Sequence, residues 1–326
     1  MLKIGVLGTG HLGKIHLKCI GLASESYELL GFFDPNPAVA QQVAADYNTT
    51  AFPDMESLIA AVDVVDIVTP TTTHFELAKA VIAAGKHLFI EKPITHTLEE
   101  AKILVQLAAE KKVKIQVGHV ERFNPAVLAL GDMAIAPMFI EAHRLAVFNP
   151  RGTDVSVVLD LMIHDLDIIL SMVNSHVKEV HASGVAVVSD TVDIANARIV
   201  FENTCVANLT ASRISMKQMR KIRLFQRDAY ISLDLLEKEA QVIRLYDTDV
   251  QPPAEGQHFE LDTQSGKKTI HLDMPKIEPV NSIKLELETF AESIVQDHRP
   301  RVNGEDGMRA LELAYQITAA IEAATA

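Results

Sequence analysis

The sequence predicts an α/β fold: an N-terminal, doubly wound parallel sheet of Rossmann type, then a C-terminal α/β domain with a large, mostly antiparallel, open-faced sheet. Three observations carry this. Over residues 1–122, short apolar runs alternate with helical stretches at the interval of βαβ units. The first of these runs leads directly into Gly8, Gly10 and Gly13, spaced G-x-G-x-x-G. Beyond Asn124-Pro125, strand-like runs follow one another with few helices between them, the pattern of an antiparallel sheet. Two domains are therefore expected, 1–122 and 123–326.

Leu2, Ile4, Val6 and Leu7 make the first strand, and residues 12–22 continue as a helix. Residues 27–33 form the second strand. Residues 37–47 read as a helix, with a short one at 57–61. Residues 64–68 are a nearly continuous β-branched run, suited to a parallel strand buried on both faces. Thr73 is expected to cap a helix that reaches Ala84 and stops at Gly85. A strand at 87–90, a helix at 98–111 and a strand at 114–117 complete the first domain. Asn124 as N-cap and Pro125 behind it then open a helix, followed by a strand at 138–147 and a helix at about 159–172. Strands follow at 177–188, 193–201, 205–212, 221–226, 230–235 and 240–246. Residues 250–280 read as polar, proline-containing loops with weak strand signals, and helices at 282–295 and 307–324 close the chain.

The glycine spacing has a mechanical meaning. Gly8 permits the tight turn out of the strand, Gly10 leaves room for a pyrophosphate beside the backbone, and Gly13 lets the helix pack close to the sheet, with Thr9, His11 and Leu12 completing the loop. The helix N-terminus offers N–H groups to an anion. The second strand ends at Asp34, about 20 residues further on, where a carboxylate accepts hydrogen bonds from both ribose hydroxyls of an adenosine. It would repel a 2′-phosphate, and Pro35 and Asn36 supply no cation, so NAD is expected rather than NADP.

Composition narrows the partners. The chain has 326 residues, 48% hydrophobic and 22% charged, with a formal charge of −13 that disfavours nucleic acid and anionic membrane surfaces. Its two cysteines, Cys19 and Cys205, lack metal-ligand spacing and read as thiols of a reducing compartment, and no metal is expected. With no leader and no bilayer-length apolar run, a cytoplasmic protein is expected.

Several residues could carry chemistry. Glu91-Lys92-Pro93 follows a strand, at the carboxyl edge where open parallel sheets bind ligands. Lys92 could polarise a carbonyl, or be a surface lysine of a loop. At the same edge stands Thr69-Pro70 to His74, either a cofactor contact or an ordinary helix start. The loop Gly118 to Pro125 carries His119, Glu121 and Arg122, which either face substrate or merely connect domains. Asp160 and His164, four apart on a largely apolar helix, share a face, so the carboxylate can fix the imidazole tautomer; a satisfied core pair is the alternative. Arg213, Lys217, Arg220, Lys221, Arg223 and Arg227 form a basic run with no acid among them, a local positive field or a charged sheet edge. Arg144 and Arg151 are further candidates for holding phosphate.

Taken together, Gly8-Thr-Gly10-His-Leu-Gly13, Asp34, the Thr69-Pro70 to His74 turn, Glu91-Lys92-Pro93 and Asp160 with His164 resemble the Gfo/Idh/MocA family of oxidoreductases over essentially the full length. That resemblance implies that Lys92 and an Asp160–His164 pair face the nicotinamide and a sugar carbinol, with His164 or Lys92 taking the proton. It extends cofactor contacts to Thr69, Pro70, His74, Glu91 and Lys92, and substrate contacts to Lys92, His119, Glu121, Arg122, Arg151 and His164. Residues 118–125 and 154–167 are most similar to the branch containing UDP-N-acetylglucosamine 3-dehydrogenases. This implies a nucleotide-sugar substrate; a free sugar, an inositol, or a nicotinamide sensor without turnover are the other readings. Ser156-Val157-Val158 departs from the family's glycine pair before the second-domain helix. The second domain is expected to bind substrate and to mediate a homodimer or homotetramer.

Overall fold

The computed structural model describes residues 1–149, 155–247, 250–251, 253–254, 256–264 and 266–325. Its chain forms two compact units, Met1–Phe123 with Asn281–Glu312, and Asn124–Val280 with Leu313–Ala326.

The first unit is built on five parallel strands, β1 (Leu2–Leu7), β2 (Tyr27–Phe33), β3 (Val64–Ile67), β4 (His87–Glu91) and β5 (Ile115–Gly118), in the order β2-β1-β3-β4-β5. Helices α1 (His11–Leu22), α2 (Pro37–Tyr47), α3 (Met55–Ala61), α4 (Thr71–Ala83) and α5 (Leu98–Lys111) make the connections. Because β2 lies on one side of β1 and β3 on the other, the loops after β1 and β3 diverge at their carboxyl ends and leave a crevice there. α5 starts where the sequence dictates, with Thr97 and Glu100 forming a reciprocal capping box. α4 starts earlier than expected. Pro70 holds the cap position, and Thr73 sits inside the first turn with its hydroxyl donating to the Pro70 carbonyl at 2.8 Å.

The helix α8 (Ser282–Val295) belongs to this unit, unlike the contiguous division at 122/123. Leu287 and Phe290 are buried in the cluster that includes Ile4, Val6, Phe32 and Phe89, each contributing roughly 1.5–3 kcal/mol. The Tyr27 hydroxyl donates to the Leu287 carbonyl at 2.9 Å.

The second unit begins with α6 (Pro125–Leu128), capped by Asn124, and its described residues carry nine strands: β6 (Phe139–Leu145), β7 (Val177–Val185), β8 (Ile194–Phe201), β9 (Val206–Ser212), β10 (Met219–Phe225), β11 (Ala229–Asp234), β12 (Glu239–Asp247), β13 (Gln257–Thr263) and β14 (Gly266–Asp273). Their order is β13-β14-β12-β11-β10-β6-β9-β8-β7, antiparallel at every neighbour except the parallel pair β6 and β9. Alternate residues Ala195, Ala197, Ile199 and Phe201 of β8 are buried, and β6 and β9 alternate likewise. α7 (Ile163–Met172) is largely buried, and α9 (Gly304–Thr325) ends the chain, its Ile317 and Ile321 in the core. β13 and β14 form a hairpin where loops with weak strand signals were expected; β13 is almost wholly exposed, so it lacks the apolar alternation that marks a strand.

Candidate active site

The crevice of the first unit is a cavity of about 810 Å³, lined by Gly8, Thr9, Gly10, His11, Leu12, Asp34, Thr69, Pro70, Glu91 and Lys92, with apolar Leu7, Phe33, Val68 and Leu77. Its size and mixed lining suit a cofactor. Gly8 adopts φ +91°, a left-handed conformation that ends β1. At Gly13 a Cβ would sit 2.1 Å from the Gly8 carbonyl oxygen, so only glycine allows α1 to leave the turn at this distance. Gly13 faces the turn and not the cavity. At Gly10 no atom lies within 4 Å of a Cβ position. Gly10 is the N-cap of α1 and makes no side-chain cap, so the first-turn N–H groups await an acceptor.

Asp34 is already arranged for a diol. Oδ2 accepts from the Thr9 N–H at 2.9 Å and the Thr9 hydroxyl at 2.7 Å, and Oδ1 from the Asn36 N–H at 3.0 Å. Burial, which raises its pKa, is outweighed by the bonds from Asn36 and Thr9, and the carboxyl is held below its ordinary value. An open backbone at Gly10, an uncapped helix start and a preset carboxylate fit the pyrophosphate and ribose of NAD.

His74 does not face the cavity. Its buried ring lies between two loops, Nε2 2.9 Å from the Thr69 carbonyl and Nδ1 3.0 Å from that of Pro93. It sits between the loop after β3 and the Glu91-Lys92-Pro93 turn, and burial pulls its pKa down, so that the neutral ring donates to one of the two carbonyls. His119 is buried just before the 3-10 turn Val120–Phe123, on which Glu121 is buried and Arg122 half-buried; none of them lines the cavity.

Two buried residues beside the cavity were not anticipated. His16 of α1 places Nδ1 2.9 Å from Oδ2 of Asp66 on β3 and Nε2 3.2 Å from Oε1 of Glu91. The available signal was Asp66 itself, an acid inside an otherwise apolar strand.

In the second unit, Asp160 lies on a π-helical turn, Val158–Met162, that runs into α7. Such turns are frequent at functional sites. Leu159, Asp160, Leu161 and His164 remain partly exposed at the start of a helix that is buried from Asp165 to Leu170, so acid and imidazole share its accessible stripe. Arg213 Nη2 stands 3.9 Å from Asp160 Oδ2 and donates to the Val155 carbonyl at 2.6 Å. Behind it, buried Asp193 accepts from the Val187, Val188 and Ser189 N–H groups at 2.7–3.0 Å and from the Ser189 hydroxyl at 2.7 Å. These bonds outweigh its burial and hold its pKa well below the usual range.

The other basic candidates change character. Arg144 is buried and gives both Nε (3.0 Å) and Nη2 (2.7 Å) to Asp165 Oδ1, so its guanidinium locks β6 to α7 and does not await phosphate. The basic run is neither a sheet edge nor a uniform patch: Arg213 is buried, Lys221 pairs with Asp234 at 3.0 Å and Arg223 with Glu141 at 2.7 Å, both across neighbouring strands of the sheet interior. Arg151 and Asp154 lie outside the described residues.

Comparison with known proteins agrees in both halves. Residues 2–119 match the family described as oxidoreductase family, NAD-binding Rossmann fold, and residues 139–231 match the GFO/IDH/MocA C-terminal domain. UDP-N-acetylglucosamine 3-dehydrogenase of Acidithiobacillus ferrooxidans is 38% identical over 324 residues, covering 99% of this chain and 98% of that protein. A solved structure of UDP-N-acetylglucosamine 3-dehydrogenase GnnA from the same organism superimposes with a TM-score of 0.87 at 36% identity, covering 99% and 98%. Inositol 2-dehydrogenase of Paracoccus denitrificans is 34% identical over 179 residues, 52% of this chain and 53% of that protein.

Proposed function

The chain belongs to the Gfo/Idh/MocA family of oxidoreductases, and from that membership we propose that it is an NAD-dependent dehydrogenase oxidising the 3-hydroxyl of a UDP-N-acetylhexosamine such as UDP-N-acetylglucosamine to a ketone. The observation that carries the substrate is the similarity to UDP-N-acetylglucosamine 3-dehydrogenase along nearly the whole of both chains; the inositol dehydrogenase matches over about half.

NAD bound in the cavity supplies the hydride acceptor. Departure of the carbinol hydrogen as hydride leaves the hydroxyl proton for the protein to take. Lys92, on the cavity wall beside Glu91, is suited to stabilise the alkoxide as it forms. In the second unit, His164 is suited to accept the proton, with Asp160 orienting its ring and supporting the charge it gains. The exchanged assignment, Lys92 as acceptor, differs in its pH profile: imidazole gives a limb near neutrality, an ammonium one at alkaline pH unless burial lowers it.

Purified protein, NAD and UDP-N-acetylglucosamine, with a carbonyl trap, should give NADH and a sugar nucleotide lighter by two hydrogens. NADH formed only with free N-acetylglucosamine or inositols would refute the nucleotide-sugar reading. NAD binding without turnover on any of them would refute the dehydrogenase reading in favour of a sensor.

We place the enzyme in the cytoplasm as a homodimer or homotetramer. Cys19 and Cys205 are buried free thiols, and among the described residues no helix is long and apolar enough to cross a membrane. The nine-stranded sheet offers half-buried residues on the face opposite its core, an area suited to a second copy. A monomer by light scattering would overturn the oligomer.

A further inference from the structure

His16, Asp66 and Glu91 form a line of charge that runs from the interior to the cavity wall, and of the three only Glu91 lines the cavity. We propose that His16 is a positioning residue for Lys92: as an imidazolium bridging Asp66 and Glu91, it keeps the Glu91 carboxylate ionised and fixed beside the lysine. This rests on the reading above that Lys92 acts on the carbinol.

Each ring nitrogen faces a carboxylate: Nδ1 is hydrogen-bonded to Asp66 at 2.9 Å, and Nε2 stands 3.2 Å from Glu91 Oε1, within ion-pair distance but without hydrogen-bond alignment. A neutral imidazole carries a single N–H and would turn a lone pair toward one of the two carboxylates. Asp66 and the ring are sealed from water, and an uncompensated carboxylate there would be costly. Burial alone lowers the pKa of His16; the charge and hydrogen bond of Asp66, then those of Glu91, outweigh it and raise the pKa well above the usual value. For Glu91, burial raises the pKa and is outweighed by His16 and then by Lys92, which hold it below the ordinary range.

Glu91 is confined on its remaining sides. Its Oε2 accepts the Lys92 N–H at 3.2 Å, and the Gly118 backbone stands so close that a Cβ there would lie 2.7 Å from Oε1. The carboxylate therefore cannot swing toward β5, and the root of the Lys92 side chain is held with it. The other groups that face this line are the Tyr27 phenol, whose pKa is raised by burial and then by Asp66, the His74 ring, which feels Glu91, and the edge-on Phe89 ring 5.5 Å from His16. His16 is the one cation among the described residues in this line, apart from Lys92 itself, that can neutralise the two acids.

The test has two arms. In the full-length protein without NAD, ¹⁵N-histidine NMR assigned through the α1 backbone should show both His16 nitrogens protonated from about pH 6 to 8. A neutral single tautomer at pH 7 would overturn the proposal, whatever the turnover. In steady-state oxidation of UDP-N-acetylglucosamine, H16Q keeps a donor toward Glu91 but no charge. It should steepen the acidic limb of kcat from one proton to two as the Glu91 pKa rises toward the imidazole limb near neutrality, with KM for NAD within about threefold of the parent. E91Q and H16Q/E91Q, which have no carboxyl at 91 to protonate, should share one profile. A loss of kcat in H16Q that is uniform across pH, as a purely structural role gives, would refute the positioning role. Absence of turnover in the parent would refute the function reading alone, since the NMR arm does not depend on it.

Discussion

Two alanine substitutions in the first loop separate folding from cofactor binding. Gly10 has φ −62° and ψ −163°, open to any residue, and nothing lies within 4 Å of its Cβ position. G10A should therefore fold normally, with a gain of about 0.4–1 kcal/mol from the restricted unfolded chain and Tm higher by roughly 1–4 °C. The same methyl occupies the approach of the pyrophosphate, so NAD affinity should drop by about 100-fold, roughly 2.7 kcal/mol. Gly13 is the reverse case. Its added Cβ would lie 2.1 Å from the Gly8 carbonyl oxygen and 3.0 Å from the carbonyl carbon, both rigid backbone. Turn and helix must part by roughly 1 Å, an overpacking cost of about 1–3 kcal/mol, and Tm should fall by roughly 2–10 °C as NAD affinity weakens. Calorimetry gives Tm and fluorescence titration gives Kd. G10A binding NAD like the parent would refute the pyrophosphate assignment, and G13A with parental Tm would refute the close approach.

D34A should weaken NAD binding about 10- to 100-fold, two exposed charge-assisted bonds being worth less than their buried maximum, and should narrow the preference for NAD over NADP. In the parent, because the Asp34 pKa is lowered, NAD affinity should hold down to the usual carboxylate range and fall only as pH drops through the lowered value; a loss already at neutral pH would contradict this. K92M should lower kcat by about 100-fold or more with NAD Kd within about threefold; unchanged turnover would remove Lys92 from the mechanism. D165N removes the carboxylate charge 2.7 Å from the buried Arg144 guanidinium, at about 3–5 kcal/mol, and should lower Tm by roughly 6–20 °C; a shift of a degree or two would mean that the charge is compensated otherwise.

The cofactor half was legible because its determinants are local. A strand, three glycines and an acid at the next strand end stand within one stretch of chain, and each answers to a steric or electrostatic need visible in the residue type. What escaped the sequence depends on partners brought from afar. The basic run looked unopposed because its counter-charges, Glu141 and Asp234, lie on other strands of the sheet. Arg144 resembled a phosphate ligand until α7 supplied Asp165. His74 stands at the right sheet edge but faces inward, where two carbonyls stand beside its ring nitrogens. The π-helical turn under Asp160 leaves no mark in a run of ordinary helix formers, and α8 shows an apolar face without showing which sheet it covers.

The chain passes from one unit to the other three times, after Phe123, Val280 and Glu312. During synthesis, a ribosome that has released only the first 123 residues has released a sheet still lacking a wall of its core, because Leu287 and Phe290 follow much later in the chain. The first unit cannot be completed until α8 has emerged as well. A chain cut short anywhere before α8 would expose the apolar surface that α8 covers, and would be a substrate for proteolysis and not a smaller NAD-binding protein.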